Sequence, residues 1–201
     1  RNRRVVSVWF PRFSTDRLRR RPRRQDGPDN APPPPSSPLP LATMIQQRGA
    51  WRLAAVDDVA ARAGLTPGMP LADARARLPD LDTRPADAKG DRAALTRLAH
   101  WAGRYTPWTN IDNGADDGDT KIGTPPAAGL WLDVTGCAHL FGGEDALLAD
   151  LCDRLQSAGY AARAGLAATP GAAWALARFG TGGTVPWRRI DGGREKDALA
   201  D

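Results

Sequence analysis

The sequence predicts an α+β fold, a sheet with helices packed on one face. Two short apolar runs, residues 5–10 (VVSVWF) and 130–134 (LWLDV), have the length and the β-branched or aromatic content of buried strands. Stretches of helical spacing follow them, and a third strand and helix occupy residues 160–179. Away from residues 19–80 the order is strand, helix, strand, helix, strand, helix, which suits a single sheet of the α+β class.

Taken along the chain, the first strand is closed by Pro11. From Ser14 the spacing turns helical, with Ser14 as N-cap and Leu18 as the inward residue. Residues 22–40 hold eight of the 18 prolines, set among Gly, Ser and Asp. Such a segment buries too little apolar surface to offset the entropy of ordering it, so it reads as a disordered prolyl loop, with an SH3-type ligand as the alternative. Residues 43–47 and 52–56 read as strands joined at Arg48 and Gly49, a hairpin signal. Asp57 or Asp58 caps a short helix that reaches Arg62 and stops at Gly64. A turn-rich connection (GLTPGMP, 64–70) leads into a second helix over 71–78. Residues 87–104 are the longest helical stretch, with Ala94, Leu95, Leu98 and Ala102 on one face. A polar insertion follows at 112–126. Residues 144–157 form an amphipathic helix, 160–167 a strand, and 169–179 a helix capped by Thr169 and ended by Gly180.

With 201 residues, 41% of them hydrophobic, the chain can build one compact domain or two small lobes. It contains no run of about 18 apolar residues, hence no transmembrane helix, and no apolar signal core follows the basic start. A cytoplasmic location is expected. Cys137 and Cys152, with His100 and His139, are too scattered for a zinc pattern. Number alone allows a Cys137–Cys152 disulfide, but a cytoplasmic chain favours two buried thiols. The net charge of +5 is uneven. Residues 1–24 hold ten arginines against the single acid Asp16, a local +9 that leaves −4 for the rest. Such a cluster attracts polyanions, nucleic acid among them, or is a solvated flank, and charge alone leaves both open.

The aspartates at 112, 116, 117 and 119 are the only acidic concentration. Set to an EF-hand with Gly118 sixth, they put Ala115 on a ligand position and Thr124 in place of the closing glutamate, so a solvated loop is the better reading. Residues 165–171 (GLAATPG) join a strand to a helix, where backbone amides can hold phosphate. They lack the lysine and glycine spacing of a P-loop and read as a capped helix start. Asp133, alone before Thr135 and Gly136, reads as a turn-fixing carboxylate.

Several segments together resemble the Y-family DNA polymerases. Residues 5–13 resemble their first strand, 64–72 (GLTPGMPLA) their fingers motif, 104–112 with 130–136 (LWLDVTG) the approach to the second acidic strand, and 160–178 (with GLAATPGAAWALAR) the late strand-helix unit. The wording of 137–151 (CAHLFGGEDALLADL) and 169–178 is similar to the UmuC-like, catalytically degenerate ImuB-type branch. The resemblance implies a ferredoxin-like polymerase palm over residues 1–18 and 81–185, with a small fingers subdomain inserted at 19–80. Residues 186–201 would be a tail leading to a thumb beyond this chain.

The departures bear on activity. Two-metal nucleotidyl transfer needs clustered carboxylates. The family's first metal-binding aspartate corresponds here to Trp9, the next acidic position to Pro11, and the later acidic pair to Ala128 and Gly129, none of which binds magnesium. The ribose-screening aromatic corresponds to Ser14, the triphosphate-contacting Tyr and Arg to Asp58 and Ala61, and the late Asn-Lys pair to Thr169 and Pro170. The resemblance therefore implies no catalytic, metal-binding or nucleotide-binding residue and no cofactor, with an apolar pocket at Trp9, Ala128 and Gly129. It implies a non-catalytic scaffold in DNA-damage tolerance that links DNA, a sliding clamp, a RecA-like accessory protein and an error-prone replicative-type polymerase, with no membrane role. Arg17, Arg19, Arg20, Arg21, Arg23 and Arg24 are the expected phosphate contacts. An active polymerase with ligands shifted into residues 112–119, or a general nucleic-acid-binding module, are the alternatives.

Overall fold

A computed structural model describes residues 3–20, 39–112, 128–180 and 184–193. Strands β1 to β8 are Val5–Trp9, Leu41–Gln47, Ala50–Val56, Asp82–Pro85, Thr109–Asp112, Gly129–Asp133, Arg163–Ala167 and Trp187–Arg189. Helices α1 to α6 are Phe13–Arg19, Asp58–Arg62, Leu71–Arg77, Ala88–Ala102, Glu144–Ser157 and Pro170–Phe179. The chain divides into two compact units. One comprises Arg1–Pro11, Lys89–Asp117 and Pro126–Asp201, the other Arg12–Ala88 with Gly118–Pro125.

In the first unit the sheet order is β5-β6-β1-β7-β8. β1 pairs antiparallel with β6 and β7, β5 antiparallel with β6, and β8 parallel with β7. Without β8 this is the ferredoxin-like arrangement. β1 takes the centre because its VVSV run is apolar or small on both sides. Val6, Ser7 and Val8 have no exposed surface at all.

Helices pack on both faces of this sheet, which corrects the expectation of helices on one face. Residues 163, 165 and 167 face α6, and Ala167 packs there with Ala172 and Ala173. The approach is close: a Cβ on Gly165 would stand 2.2 Å from the Ala173 carbonyl and 2.7 Å from the Ala177 nitrogen. On the opposite face Val6, Val8, Leu130, Leu132 and Leu166 are fully buried. α5, which contacts β7 and β8, contributes Leu147, Leu148, Leu151 and Leu155, all without exposed surface. Its apolar positions keep helical spacing, as the sequence indicated. Two strands were not legible. β5 (TNID) is a four-residue edge of mostly polar residues, and β8 (WRR) is three residues inside what read as the tail.

The second unit has a three-stranded sheet, β3-β2-β4. The β2–β3 hairpin turns at Arg48 and Gly49, whose φ values of 50° and 79° are the pair of left-handed conformations that a two-residue turn requires. β4 lies parallel to β2. Its sequence, DTRP, carries no strand signal of its own. Leu53, Val56, Ala60, Leu65, Ala74 and Leu81 form the core of this unit. Asp57, not Asp58, caps α2, accepting the Ala60 N–H at 2.8 Å. α1 starts earlier than expected. Arg12 is its N-cap, Ser14 lies buried inside it, and Phe13 rather than Leu18 is the buried apolar residue. The prolyl segment falls outside the described residues apart from positions 39 and 40.

Both cysteines are free, which sets the disulfide aside. Burial, helped by Asp153, pushes the Cys152 thiol up to about 12. Among the described residues no helix is long and apolar enough to cross a membrane.

Candidate functional site

The C-terminal end of β1 brings Trp9, Ala128 and Gly129 together: Trp9 lies opposite Gly129, and the Phe10 N–H donates to the Ala128 carbonyl at 2.9 Å. Strand register places four residues in one row across the first unit's sheet: Asp112 opposite Gly129, Gly129 opposite Trp9, and Trp9 opposite Arg163. Directly opposed residues of antiparallel strands project to the same face, here the face that α6 covers. Gly129 leaves the row without a side chain between Asp112 and Trp9. It has to be glycine, because a Cβ there would stand 2.5 Å from the Val8 carbonyl oxygen and 3.2 Å from the Asp112 Cβ.

Arg178, in the last turn of α6, completes the group. Its Nη2 donates to Asp112 Oδ2 at 3.1 Å, and its guanidinium lies 5.8 Å from the Trp9 ring centre and 4.3 Å from that of Trp174. Arg163 approaches the Trp9 ring at 5.6 Å. The Asp112–Arg178 pair is deeply buried, with side-chain exposures of 10% and 8%. Burial pulls the Arg178 guanidinium below its usual value, against the upward pull of Asp112. Arg178 Nη1 is buried without a hydrogen-bond acceptor among the described residues, so its charge rests on Asp112 and the indole faces.

These residues do not fit a divalent metal. Trp9, Ala128 and Gly129 offer no side-chain oxygen, and the one carboxylate of this group among the described residues, Asp112, is engaged by Arg178. A divalent ion about 6 Å from a guanidinium is repelled by roughly 5 kcal/mol at an effective dielectric constant of about 20. The apolar pocket expected from Trp9, Ala128 and Gly129 is corrected in the same way: the position holds a tryptophan between two guanidiniums and a buried ion pair. Sequence reasoning missed Arg163, Arg178 and the role of Asp112, which it placed in a solvated loop. The helical register of Arg178 was readable, but its proximity to Trp9 depends on strand pairing.

The other singled-out residues have structural partners. Asp133 accepts the Thr135 N–H at 3.1 Å and pairs with Arg3 at 3.4 Å. Burial alone would raise its carboxyl, but the hydrogen bonds from Thr135 and the Arg3 charge together hold it below the ordinary value. Thr169 caps α6 by accepting the Ala172 N–H, as its sequence position indicated. Asp58 pairs with Arg62 and Arg12. Arg17 pairs with Asp87 at 3.1 Å, and Arg19 pairs with Asp57 and donates to the Leu39 carbonyl. Arg20 is exposed at the end of α1. Arg21, Arg23 and Arg24, like Asp116, Asp117 and Asp119, lie outside the described residues.

The fold is shared with solved structures of Y-family DNA polymerases. The post-insertion binary complex of Dbh DNA polymerase matches with a TM-score of 0.69 at 16% identity, over 98% of this chain and 50% of that one. DinB from Sulfolobus solfataricus matches with 0.63 at 14%, again over 98% of this chain and 50% of that one. At such identities the likeness is one of fold. The impB/mucB/samB family matches residues 40–178, and the chain belongs to that family. Protein ImuB of Caulobacter vibrioides, in strains NA1000 / CB15N and ATCC 19089 / CIP 103742 / CB 15, is 50% identical over 117 residues, 58% of this chain and 23% of the relative. The chain thus spans about a quarter of these curated relatives' length.

Proposed function

We propose that this chain is the palm-and-fingers part of a polymerase-like scaffold in DNA-damage tolerance that adds no nucleotide itself. Residues 1–18 and 81–185 are its palm and residues 19–80 its fingers, a division near that of the two compact units. The single observation that supports the reading is the row Asp112–Gly129–Trp9–Arg163 with Arg178 over it, where cationic and aromatic groups stand at positions that the resemblance assigns to metal-binding carboxylates. Ligands shifted into residues 112–119 are a poorer account, because Asp112 is already held by Arg178. The role as a link between DNA, a sliding clamp, a RecA-like accessory protein and an error-prone polymerase follows from the family resemblance. The phosphate contacts of this scaffold are Arg17, Arg19, Arg20, Arg21, Arg23 and Arg24. Arg17 and Arg19 contribute least, since each must leave a carboxylate to reach DNA.

Two measurements test the absence of catalysis. Manganese titration followed by electron paramagnetic resonance should show no ion held at the Trp9 row at millimolar concentration. Primer extension with all four deoxynucleotides and magnesium should give no product. Template-dependent extension by the unmodified protein, free of contaminating polymerase, would overturn the proposal.

A further inference from the structure

At the other end of the same sheet face from the Trp9 row, the first unit holds a groove of about 390 Å³, lined by Arg3, Trp108, Asn110, Trp131, Asp133 and Pro170 among others. That volume is in the range of small-ligand sites. Strand register brings these residues together. Asn110 stands opposite Trp131, and Asp133 opposite Val5 at the start of β1. Trp131 and Asp133 alternate with the intervening residues after Gly129 along β6, so their side chains share its face of the sheet. Trp108 continues the row, since its carbonyl accepts the Asp133 N–H at 3.0 Å. Trp108 is 74% exposed, the most of any large apolar side chain among the described residues. Its backbone is nevertheless pinned: Thr106 Oγ1 accepts the Trp108 N–H at 3.3 Å and donates to the Asp133 carbonyl at 2.6 Å. The indole is thus presented on a fixed base rather than packed. Among the described residues neither the Trp108 nor the Trp131 indole N–H has an acceptor. Asn110, whose side-chain oxygen accepts the Ile111 N–H at 2.8 Å, keeps its amide N–H groups as donors. Arg3 and Asp133 pair with each other at 3.4 Å. The groove therefore offers aromatic faces and neutral donors, with no net charge to attract phosphate.

We propose that this groove docks the prolyl segment of a second copy of the chain, residues 31–38 (APPPPSSP), in the polyproline II conformation. A polyproline II strand makes no internal hydrogen bonds, so its carbonyls need donors, and its proline rings need flat apolar faces. Trp108, Trp131 and Asn110 supply the first, and the two indoles with Pro170 the second. Consecutive prolines set that backbone in advance, which lowers the entropy lost on docking. The length of chain allows it. Residues 21–38 leave and rejoin the second unit at neighbouring points, since Arg19 donates to the Leu39 carbonyl at 2.6 Å. From such a base an excursion of that length reaches up to about 25 Å, and four prolines span about 12 Å. Each copy carries one groove and one segment, so reciprocal exchange closes a dimer in which two contacts reinforce each other. The groove stands apart from the Trp9 row, and its occupant does not depend on whether the protein is catalytic.

The test uses the 201-residue protein. A fluorescein-labelled peptide of residues 30–40 (NAPPPPSSPLP) is titrated with it by anisotropy, and the association of the protein itself is followed by sedimentation equilibrium. The peptide should bind saturably, and a peptide with serine in place of Pro32, Pro33, Pro34 and Pro35 should not. Trp108→Ala should weaken peptide binding and dimerisation each at least about tenfold, the loss expected of an aromatic anchor. In the protein, the combined Pro32→Ser, Pro33→Ser, Pro34→Ser and Pro35→Ser variant should weaken dimerisation as much, yet bind the parent peptide at least as tightly, because its groove is then empty. Trp51→Ala, which removes an exposed tryptophan from the other unit, should change neither measurement. Circular dichroism melts show that each variant keeps its fold, and Asn110→Ala provides a second probe of the same groove. Absence of saturable peptide binding, or a Trp108→Ala affinity within about twofold of the parent, overturns the proposal. A protein that binds the peptide yet sediments as a monomer at every concentration would overturn the second copy as occupant and assign the groove to a proline-rich segment from elsewhere. Displacement of the peptide by single-stranded DNA would overturn it as well, by making the groove a nucleic-acid site.

Discussion

Asp112 and Arg178 form the contact on which the end of the central strand depends. Both side chains are about nine-tenths buried, so each charge relies on the other rather than on water. Asp112→Ala leaves a buried guanidinium without its counter-charge and should cost about 3 kcal/mol of unfolding free energy, read by urea denaturation. A Met at 178 with an Ala at 112 should recover part of that loss, because it removes the charge as well as its partner. The same geometry governs attempts to rebuild a metal site. Trp9→Asp puts a second carboxylate beside Arg163 and Arg178, which would engage it before a metal does. Gly129→Glu should fail outright, since its Cβ meets backbone at Val8, and overpacking of this kind costs about 3 kcal/mol. Circular dichroism melts of Gly129→Glu and Gly129→Ala should therefore fall together, because the strain begins at Cβ and not at the carboxylate.

At the scale of elements, α5 is anchored by polar contacts as well as by its leucines: Glu144 holds Arg4, and Asp150 holds Tyr105. Tyr105, fully buried beyond the end of α4, donates its hydroxyl to Asp150 at 2.6 Å and packs on Phe141 at 5.2 Å. The Tyr105 hydrogen bond is the main reason that the Asp150 carboxyl sits below its ordinary value. A carboxyl lowered on folding stabilises the protein above its unfolded value of 3.8 and loses that contribution as pH falls through the lower folded value. Tyr105→Phe should thus cost about 1 kcal/mol at neutral pH, less than a fully buried bond because Asp150 is partly solvated. The difference from the parent should shrink below about pH 4. An equal cost at pH 7 and pH 3 would show that the hydroxyl acts by packing alone. These elements also show what was legible. The 87–104 and 144–157 helices and the 5–10 strand carry strong periodicity or strong apolar content, and each was readable almost to its ends. β4, β5 and β8 were not, because strands of three or four polar residues exist only through the neighbour they pair with. The row at Trp9 divides likewise: the missing carboxylates could be read from the chain, whereas the guanidiniums that replace them come from β7 and α6 and needed the register.

At the scale of the whole molecule the decisive feature is charge. The net +5 arises from residues 1–24, which carry +9 against −4 for the remainder. A concentrated basic segment on a mildly acidic body favours binding to a polyanion by that segment, with affinity that follows counterion release. Each phosphate contact adds about 0.7 to the slope of log affinity against log salt for a single strand. Arg17 and Arg19 hold Asp87 and Asp57 in the free protein, so their contacts with DNA compete with ion pairs already formed. Replacing all six of Arg17, Arg19, Arg20, Arg21, Arg23 and Arg24 by Gln should flatten the slope by about 3, short of the roughly 4 that six unhindered contacts would give. Replacing only Arg17 and Arg19 should change the slope by less than about 1 while lowering stability, because Asp57 then keeps its cap on α2 but loses its counter-charge. Fluorescence anisotropy on labelled single-stranded DNA between 50 mM and 200 mM salt, a range over which such contacts are resolved, measures both slopes. An unchanged slope in the sixfold variant would leave the arm a solvated flank and move the DNA contact elsewhere on the protein.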